Sequence, residues 1–388
     1  MIIRYESRFI DKIIEEVLGK VKPTHLKVAI HPTRMNSRIE EMKVLLNLGT
    51  KDVRIVGIYG MGGIGKTTIV KAVYNQICDG FEGSSCLLNI KEHSEQFNGL
   101  VHLQEKLLFD ILKKNLKIDN VDGGIELIEE RIQGKRVLVI LDDVDDLKQI
   151  DTLVGNFKMF GLGSRLIVTT RDEHLLTQLQ VNGKYEVKKL DQLESLQLFS
   201  WHAFGMAKPV EGYLDLSISV VKYAGGLPLA LEVLGSYLLR RSIIEWKSAL
   251  EQLHTNPHHQ IQKILQISFD SLDDKTKEIF LDIACFFIGM DKEYVNKILH
   301  GCGFFPDNGI NILIQRSLVK IDYYNRLRMH DLIRDMGREI VCKRSSNDLG
   351  KRSRLWFHED AFNVLGKHMV RDIYIYVCKH VYIQNRIS

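Results

Sequence analysis

The chain has 388 residues, 45% of them hydrophobic and 26% charged, with 53 basic against 49 acidic side chains and a formal charge of +4. That length suggests two or three folding units, and charge mixed along the chain gives no block that would draw in nucleic acid or a membrane surface. The six cysteines (Cys78, Cys86, Cys285, Cys302, Cys342, Cys378) form no C-x-x-C pairs and have no histidines at metal spacing. This argues against zinc and against a disulfide framework, and suits a reducing, cytoplasmic home, with the nucleus also open.

At the N-terminus, Met1-Ile2-Ile3-Arg4-Tyr5-Glu6 lacks a cationic segment followed by an apolar core, and Ile2 excludes N-myristoylation, so nothing directs the chain to secretion or to a lipid anchor. The first strong element is the run 53–59, Val-Arg-Ile-Val-Gly-Ile-Tyr, rich in β-branched residues. It leads straight into Gly60-Met61-Gly62-Gly63-Ile64-Gly65-Lys66-Thr67-Thr68, which fits G-x-x-x-x-G-K-[ST]. Ile69, Val70, Val73 and Ile77 then share one helical face, completing the strand, loop and helix that phosphate binding requires. The glycines let backbone N–H groups turn toward a triphosphate. Lys66 supplies a point charge for the β/γ oxygens, and Thr67 offers a hydroxyl to Mg²⁺.

Further strand-like runs at 85–90, 136–141, 165–170 and 184–187 alternate with amphipathic stretches such as 100–115. Such alternation predicts a parallel α/β sheet. Beyond Leu190 the strand signal stops and helical patterns follow at 193–204, 214–224, 229–239, 261–269 and 275–287. The most apolar window, 279–290, is short and interrupted by Asp282, as in a buried helix and not a membrane span. A hairpin is predicted from 317–321 and 326–328, and Met329, Leu332, Ile333, Met336 and Ile340 mark the face of a helix after it, so the end of the chain reads as a winged helix. There is no repeat of fixed period and no low-complexity tract.

The apolar strand Val137-Leu138-Val139-Ile140-Leu141 delivers Asp142 and Asp143 at its C-terminal end, where a parallel sheet places its ligand site. Alone, the pair is equally an acidic helix cap. Behind a phosphate loop it reads as a Walker B element, with Asp142 holding Mg²⁺ and Asp143 orienting or deprotonating the attacking water. Arg171 closes the run 164–170 at the same edge and is a candidate sensor of the γ-phosphate, or else a loop arginine pairing with Asp172 or Glu173. No N-K-x-D element selects guanine, which favours adenine.

These motifs, with Gly226-Leu227-Pro228-Leu229-Ala230, the run 280–289 and Met329-His330-Asp331-Leu332, occur in the order found in the NB-ARC module of plant disease-resistance proteins, which the chain resembles from about Tyr5 to about Leu365. Asp145 and the wording of 280–287 resemble the TIR-bearing class. The resemblance implies a P-loop NTPase sheet, an all-helical domain and a winged-helix domain. The boundaries it suggests are a linker over 1–35, the nucleotide domain over 36–190, the helical domain over 191–255, the winged helix over 256–345 and a divergent tail over 346–388. It also implies an ADP/ATP switch with Mg²⁺, ADP-bound at rest and at most a slow ATPase, whose partners are nucleotide and other receptor chains or further copies of itself. In such a switch Pro228 packs by the adenine and His330 contacts the ADP β-phosphate. On the residues alone, Pro228 is a helix start and His330 a winged-helix surface residue.

The chain departs from the family where Thr33-Arg34 stands in place of a Val-Gly pair beside the adenine. It also shows neither a TIR domain nor leucine-rich repeats, which is the pattern of a truncated receptor or a nucleotide-binding adaptor. A turnover ATPase is the alternative activity. Arg328, Arg334, Arg338, Lys343 and Arg344 raise DNA binding through the winged helix, but Asp331, Asp335 and Glu339 interrupt that patch and argue against it.

Overall fold

The computed structural model describes residues 25–28, 35–255, 259–344, 352–356 and 364. The Thr33-Arg34 pair, most of the 1–35 linker and nearly all of the 346–388 tail lie outside the described residues. Contacts divide the chain into one unit of Met1–Gly60 with Ile64–Lys188 and a second of Met61–Gly63 with Lys189–Ser388.

The first unit is built on five parallel strands, β1 (Arg54–Tyr59), β2 (Gly83–Leu87), β3 (Val137–Val144), β4 (Arg165–Thr170) and β5 (Gly183–Glu186), in the order β2-β3-β4-β1-β5. β4 therefore separates β1, which feeds the phosphate loop, from β3, which carries the aspartates. Both β3 and β4 are almost wholly buried, which is why each carries an unbroken apolar stretch, Val137 to Leu141 and Leu166 to Val168, and not an alternating one. On one face Ile55, Val139, Leu141, Leu166 and Val168 pack with Leu107, Leu108 and Ile111 of the helix Gly99–Leu112, Ile128 and Ile132 of Val121–Ile132, and Leu153 of Leu147–Val154.

Two strand ends differ from the sequence expectation. β2 stops at Leu87, because Asn89 takes a left-handed backbone (φ 51°) and Ile90 opens a short helix, Ile90–Ser94. β3 runs past Leu141 to Val144, with its register against β4 shifted between those residues and Asp143 at φ 58°. Such a bulge re-aims side chains at a strand end. At the other end of β4, the fully buried Arg165 guanidinium donates to the carbonyls of Leu46, Asn47 and Asp52, each at 2.6 Å. It thereby satisfies the end of the helix Met35–Leu46 and fastens the turn that precedes β1.

The second unit is helical. Gln192–Phe204 starts on a capping box of Asp191 and Glu194, and Leu214–Ala224, Pro228–Leu238 and Ile243–Thr255 follow. Trp246 anchors this group. It stacks on Phe204 at 5.5 Å, meets Phe199 edge-on at 5.7 Å, and its buried indole N–H donates to Leu238 O at 3.0 Å. The remaining helices are His259–Asp270, Asp274–Asp282, Lys292–Gly301, Pro306–Gln315 and Asp331–Arg344. The antiparallel hairpin β6 (Lys320–Ile321) and β7 (Leu327–Arg328) precedes the last of them, giving the winged-helix order.

The predicted helix over 275–287 is α-helical only to Asp282 and then becomes a π-turn, Ile283–Phe287, whose Ala284 carbonyl accepts from Arg338 Nε at 3.2 Å. No helix of the described residues is long and apolar enough to cross a membrane, and among the described residues no disulfide joins the cysteines.

One glycine in this unit is required twice over. Gly226 has φ +80°, and a Cβ there would lie 2.4 Å from Leu190 O, the carbonyl of a residue whose own N–H donates to Gly226 O at 3.0 Å. Gly226→Ala is expected to lower unfolding stability by about 1–3 kcal/mol, read by urea denaturation. Unchanged stability would show that the backbone relaxes around the methyl group.

Candidate nucleotide site

The phosphate loop leaves β1 at Gly60 (φ 147°) and passes through Gly63 (φ 76°) and Gly65 (φ 99°), backbone states that L side chains rarely adopt. Gly65 caps the helix Lys66–Ile77 without a side-chain hydrogen bond, so the first-turn N–H groups keep the anion-binding character of a helix N-terminus. Ile64 is buried at 3% exposure, which leaves its backbone as the part able to meet a ligand. Gly63 O accepts from Leu229 N–H at 3.2 Å, and a Cβ on Gly63 would lie 2.7 Å from the Leu229 Cβ, so the loop is held as well as bent. Gly62 is buried and Thr68 half-buried, both beside these turns.

Lys66 is buried, and its Nζ donates to Gly60 O at 2.7 Å. Burial, with Arg171 adding to it and Asp143 and Asp142 opposing, pulls its pKa down from the ordinary lysine value to about 7. A lysine whose charged form burial disfavours is one that a phosphate would stabilise.

Thr67 Oγ1 donates to both Asp142 oxygens, at 3.0 and 2.9 Å. Asp142 is fully buried; burial raises its pKa, while the hydroxyls of Thr169 and Thr67 oppose that rise. A hydroxyl and a carboxylate in contact form the hard oxygen set that Mg²⁺ takes when phosphates and waters supply its other ligands. Among the described residues no cluster of three or more His, Cys, Asp or Glu could hold a metal by itself. The Thr67 hydroxyl and the Asp142 carboxylate fit a metal shared with a nucleotide.

Asp143 accepts from Arg171 Nε at 3.2 Å. The structure thus brings the two together across the β3 and β4 ends, where the sequence left Arg171 a choice of Asp172 or Glu173. Asp172 instead caps the helix Glu173–Gln178. Sequence reasoning missed Thr169, whose hydroxyl lies against both aspartates; the available signal was the change from the apolar stretch Leu166 to Val168 to two threonines at the strand's C-terminal end.

In the second unit, Pro228 occupies the first turn of Pro228–Leu238, as its fixed φ and missing N–H allow. His330 lies beside the Gly225-Gly226 turn that precedes it. Leu332 N–H donates to Nδ1 at 3.2 Å, which places the ring proton on Nε2, and Nε2 donates to Gly225 O at 3.2 Å.

A parallel sheet with a P-loop after β1 and a buried carboxylate on β3, two strands away, defines a P-loop NTPase. The chain shares that fold with a Walker-type ATPase of Pyrococcus abyssi (TM-score 0.54, 13% identity, 83% of this chain and 99% of that one). Residues 36–209 match the NB-ARC domain and residues 273–345 the winged-helix domain of Roq1-like disease resistance proteins, and the chain belongs to the NB-ARC disease resistance family. It is 43% identical over 356 residues to disease resistance protein RUN1 of Vitis rotundifolia, covering 91% of this chain and 26% of that protein. It is 40% identical over 366 residues to TMV resistance protein N of Nicotiana glutinosa, covering 92% and 31%. The chain thus spans about a quarter to a third of these relatives and carries their nucleotide-binding module.

Proposed function

We propose that this chain is the Mg²⁺-dependent ADP/ATP switch of a plant intracellular immune receptor, ADP-bound at rest and slow to hydrolyse ATP. The observation that carries the reading is the contact of Thr67 with Asp142 beside the buried Lys66, in a chain of the NB-ARC family. The loop N–H groups and Lys66 would grip the β and γ oxygens, and Thr67 and Asp142 would hold the metal. Magnesium, when bound, would screen the phosphate charge.

Asp143 would orient or deprotonate water, but its carboxylate carries the Arg171 guanidinium at 3.2 Å. A carboxylate held by a guanidinium must leave that contact before it can accept a proton from water, which supports slow chemistry. Arg171 would leave that pair to meet a γ-phosphate, so the two nucleotides would be told apart at this point.

Pro228 would form an apolar wall for adenine, and the His330 Nε2–H would turn from Gly225 O to the ADP β-phosphate. His330→Ala is then expected to speed ADP exchange by about tenfold or more, the worth of one charge-assisted hydrogen bond. An unchanged rate, read by displacement of a fluorescent ADP analogue, would remove His330 from the site.

The proposed partners are other receptor chains or further copies of this one, in the cytoplasm or the nucleus. Nucleic acid is a poor fit, because the basic side chains of the last helix already face acids: Arg334–Asp335 at 2.8 Å, Lys343–Glu339 at 2.6 Å and Arg344–Glu278 at 2.8 Å. Mass spectrometry of the small molecule released when purified protein is denatured tests the resting state. ADP in near-equal amount to protein is expected; protein purified empty and turning over ATP steadily would replace the switch with an ordinary ATPase.

A further inference from the structure

We propose that Thr169 is a positioning residue for the metal site, holding the Asp142 carboxylate through one hydroxyl and the bulge that carries Asp143 through the same oxygen. The inference rests on the reading of the site given above and adds a residue that the P-loop and Walker B patterns do not contain. Thr169 is fully buried in β4, the strand interposed between β1 and β3. Its Oγ1 donates to Asp142 Oδ1 at 2.6 Å and accepts the Asp143 N–H at 2.9 Å.

The second bond answers a backbone problem. β3 pairs regularly with β4 up to Leu141 opposite Val168, then slips before Val144 pairs with Thr170. The slip takes the Asp143 N–H out of the ladder, where it needs another acceptor. Thr169 supplies that partner, so the left-handed turn at Asp143 is stapled at its own position.

The first bond fixes the neighbouring carboxylate. Asp142 receives hydrogen bonds from Thr67 on one side and Thr169 on the other. Thr67 is the residue whose oxygen would turn to the metal, so Thr169 is the donor that would stay on Asp142 Oδ1. A serine keeps this geometry and a valine of the same shape does not. Removing such an outer partner of a metal ligand characteristically weakens metal affinity about 10–100-fold.

The test compares affinity for a fluorescent ADP analogue with and without Mg²⁺ in the parent, Thr169→Val and Thr169→Ser, with circular dichroism to check folding. Thr169→Val is expected to bind the metal-free nucleotide within about twofold of the parent but to lose about tenfold or more of the Mg²⁺ enhancement, while Thr169→Ser keeps it. A valine variant with the parent's enhancement overturns the proposal, as does a serine variant that loses as much as valine. Should Thr169→Val not fold, Thr169→Cys, of similar size with a weak donor, is expected to lose more of the enhancement than Thr169→Ser; equality of the two overturns it. A parent that ignores the nucleotide altogether refutes the site itself and not this role.

Discussion

Lys66→Ala is expected to weaken ADP and ATP binding by about two orders of magnitude or more while leaving the fold intact. The ammonium would make charge-assisted bonds to the β and γ oxygens, each worth about 1.5–3 kcal/mol, and a pair of them spans two to four decades in affinity. The usual objection, that a buried lysine is structural, has the opposite sign here. Lys66 is buried with its pKa drawn down to about 7, so the fold spends free energy to keep it charged. Its bond to Gly60 O ties it to the loop itself. The variant should therefore melt close to the parent yet fail in calorimetric titration. Affinity retained within threefold would show that the loop amides suffice without the cation.

Arg354→Ala is expected to cost about 3–5 kcal/mol of stability in the second unit, because it strands a buried charge. Arg354 Nε meets Asp282 Oδ1 at 2.6 Å with side-chain exposures of 7% and 4%, and its Nη2 reaches Glu278 Oε2 at 2.7 Å. Burial pushes Asp282 up to about 6, with Arg354 pulling the other way, so the carboxyl is ionised at neutral pH. Without the arginine, burial acts unopposed and the folded-state pKa climbs further above the unfolded one. A group whose folded pKa is raised favours folding as pH falls, since the folded state then binds the extra proton.

The deficit should accordingly be smaller at about pH 5.5 than at about pH 8. Glu278 shifts in the same direction: burial raises it, and removing Arg354 takes away part of what holds it below the usual carboxylate range. Urea unfolding at the two pH values measures both effects. A loss under about 1 kcal/mol, or one independent of pH, would show that the Arg354 segment rests on this helix without clamping it.

Much of the first unit was legible because its chemistry is tied to chain order. A strand, a glycine loop and an amphipathic helix must be consecutive to hold phosphate, and β1 and β4 read cleanly because sheet burial on both faces enforces apolar runs. The bulge at Asp142-Asp143 was not legible, since it depends on how β3 slips against β4, and neighbouring strands in this sheet are distant in sequence. Thr169 was hidden for the same reason: its partners lie 26 and 27 residues away.

The pairing of Arg171 with Asp143 shows the limit of judging ion pairs by proximity in sequence, where Asp172 and Glu173 were nearer but one of them was needed as a cap. From Ile279 to Phe287 the residues are apolar except for Asp282, so periodicity gave no warning of the π-turn at Ile283. The Arg354 clamp had no local signal, because Asp282 lies 72 residues before it.

The central claim is that the chain holds an adenine nucleotide between the loop ending in Lys66-Thr67 and the Asp142 carboxylate. Calorimetric titration of the folded, nucleotide-stripped protein with ADP and with ATP in the presence of magnesium tests it most directly. Saturable binding of one nucleotide per chain, weakened on chelating the metal, is the predicted result; no heat from either nucleotide in protein shown to be folded would contradict it.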